Sequence, residues 1–138
     1  MAHRIQVISI YRPRIEQGNT VQKPELIRSV SRATGLVEAL LDYVIKELRD
    51  KIIEFVRSGR AVKIEGLGTW TPNIGLDGSF DIQYRADTAL VNALKVPGTF
   101  TGRILNRENI GNTGDELVAK WNHKNPDDQV PVEASIGG

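Results

Sequence analysis

Between Leu36 and Val56 the residues Leu36, Leu40, Leu41, Val44, Ile45, Leu48, Ile52, Phe55 and Val56 recur mostly at three- and four-residue steps. That period gathers side chains on one face of an α-helix of about five turns. Glu38, Asp42, Lys46, Glu47, Arg49, Asp50, Lys51, Glu54 and Arg57 fall mostly on the other face. They read as a solvated surface, with Glu47 and Lys51 at a favourable i,i+4 spacing. Gly59 ends the segment. A shorter helix precedes it: Leu26, Ile27, Val30 and Ala33 line one face, Pro24 suits the first turn and Gly35 stops the run.

Downstream the period changes from helical to two. Val62 and Ile64 alternate with Lys63 and Glu65, a strand with one buried face. Gly66-Leu67-Gly68-Thr69-Trp70 predicts a bend that resumes as strand, and the Asp77-Gly78 pair is a hairpin signal. Phe80, Ile82 and Tyr84 alternate on the returning strand. Residues 86–94 suit a short helix capped by Asp87 and closed by Pro97-Gly98.

The two ends give weaker signals. Residues 4–11 alternate roughly polar and apolar with many β-branched members, which predicts a strand closed by Pro13, and residues 16–21 a loop. Residues 99–106 suit a further short strand. Asp115 to Asn122 reads as an amphipathic helix with Leu117, Val118 and Trp121 on one side, and the composition beyond Asn125 predicts a frayed tail.

Composition then narrows the class. Hydrophobic residues make up 40% of the 138, with only three Phe, three Tyr and two Trp. A core of Leu, Ile and Val this thin must be built by helix packing or shared with a second copy. The absence of cysteine excludes disulfides and thiolate metal sites. Net charge is +1 but unevenly spread. Arg4, Arg12, Arg14, Lys23 and Arg28 face only Glu16 and Glu25 in the first thirty positions, whereas residues 101–138 carry more acids than bases. So small a surplus argues against tight binding to a polyanion, not against binding itself. The start of the chain has no apolar run of signal-peptide type, and no stretch is long enough to cross a bilayer. A soluble cytoplasmic protein is the expectation.

Three stretches resemble the HU and integration-host-factor family of bacterial histone-like proteins. They are Lys23-Pro24-Glu25-Leu26-Ile27 through Thr34-Gly35-Leu36, then Gly59 to Trp70, similar to G-x-x-V-x-L-x-G-F-G-T-F, and Tyr84 to Leu94. The resemblance implies an α+β fold: an HU/IHF-like intertwined dimer with a helical base and a β-hairpin saddle facing double-stranded DNA. The partner is a second copy or a paralogue. The implied division is an N-terminal strand-and-loop extension over 1–22, an HU-like DNA-binding core over 23–95 and a C-terminal extension over 96–138. Localisation would be the nucleoid. The sequence departs from the family at the arm: Thr71 to Phe80 has no Lys or Arg, and its one proline, Pro72, lies near the strand start. Sharp bending by a wedged proline is therefore not expected.

Candidate DNA-binding residues follow. Lys23 sits at the first helix's N-terminus, where amides and dipole already favour a phosphate, or is an ordinary solvated lysine. Arg28 and Arg32 extend that flank. Lys63 points to the exposed sheet face, partly offset by Glu65. The turn Gly66, Gly68 and Thr69 either offers backbone amides to a phosphate or only makes a tight bend with Leu67 on the partner. Arg85, with Arg4, Arg12, Arg14, Arg103 and Arg107, can replace the missing arm if the extensions flank the saddle. Enzyme readings fail: His3, at an expected mobile terminus, and His123 have no ligand spacing. The glycine-rich stretches match neither a dinucleotide fingerprint nor a P-loop. No cofactor or metal is expected. The leading expectation is non-sequence-specific DNA binding through backbone phosphates, with condensation. The alternative is an HU-fold dimer kept as a structural or interaction module, with protein partners at the terminal extensions.

Overall fold

The computed structural model describes residues 2–132. In chain order the elements are α1 (Arg4–Tyr11), β1 (Arg14–Ile15), α2 (Lys23–Thr34), α3 (Glu38–Arg57), β2 (Val62–Ile64), β3 (Gly68–Ile74), β4 (Phe80–Ala86), α4 (Thr88–Lys95), β5 (Ile104–Leu105) and α5 (Gly114–Lys124). The backbone divides into two units, a continuous middle segment Asn19–Thr101 and a terminal unit formed by residues 2–18 with 102–132. The class is α+β.

In the middle unit the sequence periods are realised nearly as read. Gly35 takes the left-handed conformation at φ 76° and donates its amide to the Ser31 carbonyl, closing α2. The 20-residue α3 runs from Glu38 to Arg57. The strands form an antiparallel sheet in the order β2-β3-β4. Its hairpin closes with the Gly75 amide on the Ser79 carbonyl at 2.8 Å, and Gly78 supplies the positive φ that the turn needs. The Asp77 carboxylate accepts from the Ser79 hydroxyl and amide, and both hold it below the usual carboxylate range.

What this unit does not do is bury its apolar face. Neither α3 nor α4 has a single buried residue. Leu40, Val44, Leu48 and Phe55 on α3, and Leu90 and Leu94 on α4, all stand exposed. Apart from Ile27, only Gly68 is buried in this segment.

The terminal unit corrects the sequence reading at both ends. Residues 4–11 are a helix, not a strand. Arg4, Val7, Ile8 and Tyr11 share its inward face at i, i+3, i+4 and i+7, and Val7 is completely buried against Val118 and Val130, ringed by Ala2, Ile8, Tyr11 and Trp121. The alternation seen in sequence leaves Ile5 and Ile10 in solvent. Packing available only in three dimensions overrode a local β signal.

Residues 125–132 are likewise packed rather than frayed. Trp121 Nε1 donates to the Asp128 carbonyl at 2.7 Å, and Asn122 both donates to and accepts from the Val130 backbone. The Ala2 amide donates to the Asp128 carboxylate, and the His3 amide to the Gln6 side chain, so His3 begins a helix rather than a loose end. The remainder of the expected tail, 133–138, lies outside the described residues. The expected strand at 99–106 shortens to β5, which pairs antiparallel with β1 through Arg14–Leu105 and Ile15–Ile104.

Candidate nucleic-acid interface

The register of the middle sheet separates two chemistries. Val62 pairs with Trp70 and Trp70 with Tyr84, while Pro72 faces Ile82 and Ile74 faces Phe80. Directly opposed residues project to the same side, so this side is apolar throughout. The other side begins with Lys63 opposite Thr69 and Thr69 opposite Arg85, a row across all three strands. Thr71 with Gln83, then Asn73 with Asp81, continue it toward the hairpin tip. Asn73 donates to Gln83 at 3.2 Å. The polar face is therefore cationic at its base and acidic near its tip.

Thr71, Asn73 and Gln83 were not singled out from the sequence. Their alternation with Trp70, Pro72 and Tyr84 was the available signal.

Gly68 explains how the base of this face is shaped. A β-carbon there would lie 2.5 Å from the Arg85 carbonyl and 2.6 Å from the Tyr84 ring, and its φ is 154°. The strand thus passes under Tyr84, whose hydroxyl donates to the Leu67 carbonyl at 2.8 Å and whose ring lies 5.1 Å from Trp70. The turn amides have partners already: Gly66 donates to Asp87 at 3.2 Å and Leu67 to the Ile64 carbonyl at 3.0 Å. Asp87 also accepts from the Ala89 amide at 2.8 Å, capping α4 as its sequence position suggested. Those two amides, Ala89 first, hold the Asp87 carboxyl below its ordinary range. One carboxylate thus fastens the Gly-Leu-Gly turn to the closing helix. The hollow at this corner, about 790 Å³, is lined by both Glu65 and Asp87 as well as Lys63, so two carboxylates there repel a phosphate and one ammonium attracts it.

The α2 candidates occupy a separate surface. Lys23 donates to Asp42 on α3 at 2.8 Å, and Lys46 meets the other oxygen of that carboxylate at 2.8 Å. Two ammonium groups on one carboxylate hold Asp42 down to about 2, Lys23 contributing most. Arg28 approaches Glu38 at 4.0 Å, and Arg32 is exposed in the last turn of α2 without an ion pair among the described residues. The structure therefore joins Lys63, Thr69 and Arg85 in one row and leaves Lys23, Arg28 and Arg32 on a helix flank, the first already committed to Asp42. Of the remaining arginines, Arg4 binds Asp115 at 2.6 Å and Arg103 binds Glu16 at 3.4 Å in the terminal unit.

No cluster of three or more metal-ligating side chains occurs among the described residues, and no helix among them is long and apolar enough to cross a membrane. A protein-family model described as HU-HIG, an HU domain fused to a wHTH, Ig or glycine-rich motif, matches residues 9–96. No curated protein matches the sequence.

Proposed function

The chain belongs to the HU-HIG family, and from that premise we propose that it is a dimeric, histone-like protein that binds double-stranded DNA through backbone phosphates without reading sequence. HU-type domains are non-enzymatic DNA-binding modules. The observation that carries the reading here is the row Lys63, Thr69 and Arg85 on the exposed polar side of the sheet. Two cations and a hydroxyl at one edge offer positioning contacts to phosphate oxygens. Because Gly66 and Leu67 have spent their amides, side chains take the phosphate while Gly66 and Gly68 set the shape of the turn. On the separate α2 surface Arg28 and Arg32 add further phosphate contacts, and Lys23 joins them by exchanging Asp42 for phosphate. With no cation between Thr71 and Phe80 and with Asp77 and Asp81 at the tip, the arm grips little DNA and bending stays limited.

Dimerisation follows from the exposed apolar surface of the 23–95 core. A 20-residue amphipathic helix with no buried residue needs a partner to cover it, and a second copy or a paralogue provides the same complementary surface. We place the dimer in the bacterial cytoplasm at the nucleoid, where it condenses DNA.

A second reading, a structural dimer whose terminal extensions bind proteins, is favoured by the Lys23–Asp42 and Arg28–Glu38 pairs, which neutralise cations expected to face DNA. Fluorescence anisotropy of blunt and nicked duplexes at low and physiological salt separates the two. The DNA reading expects steep salt dependence and weaker binding by Lys63→Ala and Arg85→Ala. Absence of binding to either duplex at low salt sinks it.

A further inference from the structure

We propose that the terminal unit carries a second phosphate-binding surface, a basic cleft that engages the nucleic-acid backbone through residues wholly distinct from the sheet. The cleft has a volume of about 610 Å³, and its lining includes Tyr11, Asn106, Asn109, Lys120, His123 and Lys124. Lys120, His123 and Lys124 stand at i, i+3 and i+4 on α5, so all three project from one side of the helix. Glu108 is the one carboxylate in the lining.

The cleft is held in shape by two asparagines. Asn109 is buried; its amide group donates to the Tyr11 carbonyl at 2.7 Å and its oxygen accepts from the Lys120 ammonium. Asn106 adopts φ 57°, which asparagine tolerates better than most residues, and donates to the carbonyls of Ile10 at 2.7 Å and Arg12 at 3.1 Å. Together they satisfy the last carbonyls of α1 and pin the chain on both sides of the cleft. Arg12 follows the lining residue Tyr11 in sequence, Arg107 lies between the lining residues Asn106 and Glu108, and both are exposed. Lys124 stands 6.0 Å from the Tyr11 ring centroid, a cation–π distance.

Charge compensation points outward. In the terminal unit Arg4 and Arg103 have carboxylate partners. Arg12, Arg107, Lys120 and Lys124 have none within 4.0 Å among the described residues. Lys120 and Lys124 line the concave surface beside an aromatic ring, and Arg12 and Arg107 neighbour its lining in sequence. Uncompensated cations next to an aromatic platform are the arrangement by which phosphodiester chains are gripped without sequence preference. That the polyanion is DNA rests on the reading above; the cleft and its charge do not.

The test uses the full chain and a labelled duplex, titrated by anisotropy across a salt series. Three proteins are compared: wild type, a cleft variant (Arg12→Gln, Arg107→Gln, Lys124→Gln) and a sheet variant (Lys63→Gln, Arg85→Gln). Lys120 is left in place because it bonds the buried Asn109. The cleft variant is expected to melt like wild type, to bind more weakly, and to lose about one unit of the log–log salt slope per phosphate contact removed. An unchanged slope and affinity in the cleft variant, with a weakened sheet variant, overturns this inference and leaves the function standing. A wild type that binds no duplex overturns both. A titration with inorganic triphosphate, read from the amide shifts of α5, adds a further arm: saturation by triphosphate with no change in duplex binding by the cleft variant assigns the cleft to small phosphates and overturns the DNA contact.

Discussion

The terminal unit and the middle segment differ in how each satisfies its apolar residues. The terminal unit is smaller and its longest helix, α5, has 11 residues against the 20 of α3, yet Val7, Leu117, Val118 and Val130 are all buried within it. The middle segment has the longest helix and most of the aliphatic residues, yet buries only Ile27 among its hydrophobic side chains. Local secondary-structure strength and self-sufficiency therefore run in opposite directions. Strong helical periodicity in α3 describes a surface, and that surface is finished only when something else covers it.

The sharpest way to break the contrast is to place a charge on α3. On the dimer reading, Leu48→Glu puts an unpaired carboxylate into the shared core, where its desolvation has no compensation. The expected result is loss of the dimer with collapse of the middle segment's helical signal, read by sedimentation and circular dichroism. Wild-type melting temperature should rise with protein concentration, because association stabilises the folded state by mass action. A wild type whose melting is independent of concentration, and a monomeric Leu48→Glu variant that keeps its full helical signal, would show that α3 needs no partner.

The second largest effect is on the other side of the comparison. Leu117 is 3% exposed, and Leu117→Ala removes a buried side chain from a core that the chain closes by itself. A loss of about 2–5 kcal/mol is expected in that unit. Denaturation followed by Trp121 fluorescence should show the loss at every protein concentration, with oligomeric state intact. A concentration-dependent loss would mean that the terminal unit also leans on a second copy.

Gly68→Ala ranks next. The β-carbon would meet the Arg85 carbonyl at 2.5 Å and the Tyr84 ring at 2.6 Å, so Tyr84 must move and its bond to Leu67 must stretch or break. Overpacking of this kind costs about 1–3 kcal/mol. The near-ultraviolet signal of the Trp70–Tyr84 pair should weaken while the terminal unit's transition is unmoved. A variant with both transitions unchanged would remove the structural role given to this glycine.

The same contrast explains what was legible in the sequence. In the middle segment each element announces itself: α2 and α3 by their periods, Gly35 by its position, the hairpin by Asp77-Gly78, Asp87 as a cap. These signals are local, and the structure follows them. The row Lys63–Thr69–Arg85 was legible in part, since alternation puts Lys63 outward, but only the register brings it beside Arg85. The second use of Asp87, on the Gly66 amide, crosses 21 positions and has no local signature. In the terminal unit nearly everything is long-range. α1 is a helix because Val7 meets Val118 and Val130, more than a hundred positions away, and the carbonyls at its C-terminal end are met by Asn106 and Asn109. A short segment rich in isoleucine and valine reads as a strand until its partners are known.

The smallest expected effect lies at Asp42, and it bears on both stability and binding. The carboxyl is lowered from 3.8 to about 2, first by Lys23 and then by Lys46. A depressed folded-state pKa stabilises the fold at pH values above the unfolded value, and that contribution is lost as pH falls from about 3.8 through about 2. Helical circular dichroism between pH 5 and pH 2 should therefore fall more gently in Asp42→Asn than in wild type, since the variant has no such charge to lose. The difference is small because the triad is open to solvent and screened by salt. At neutral pH the same substitution releases Lys23 from its ion pair. If Lys23 contacts phosphate, Asp42→Asn binds duplex DNA more tightly and with a steeper salt slope than wild type. Unchanged affinity would return Lys23 to its role as a clamp between α2 and α3, and leave Lys63 and Arg85 as the DNA contacts of the middle segment.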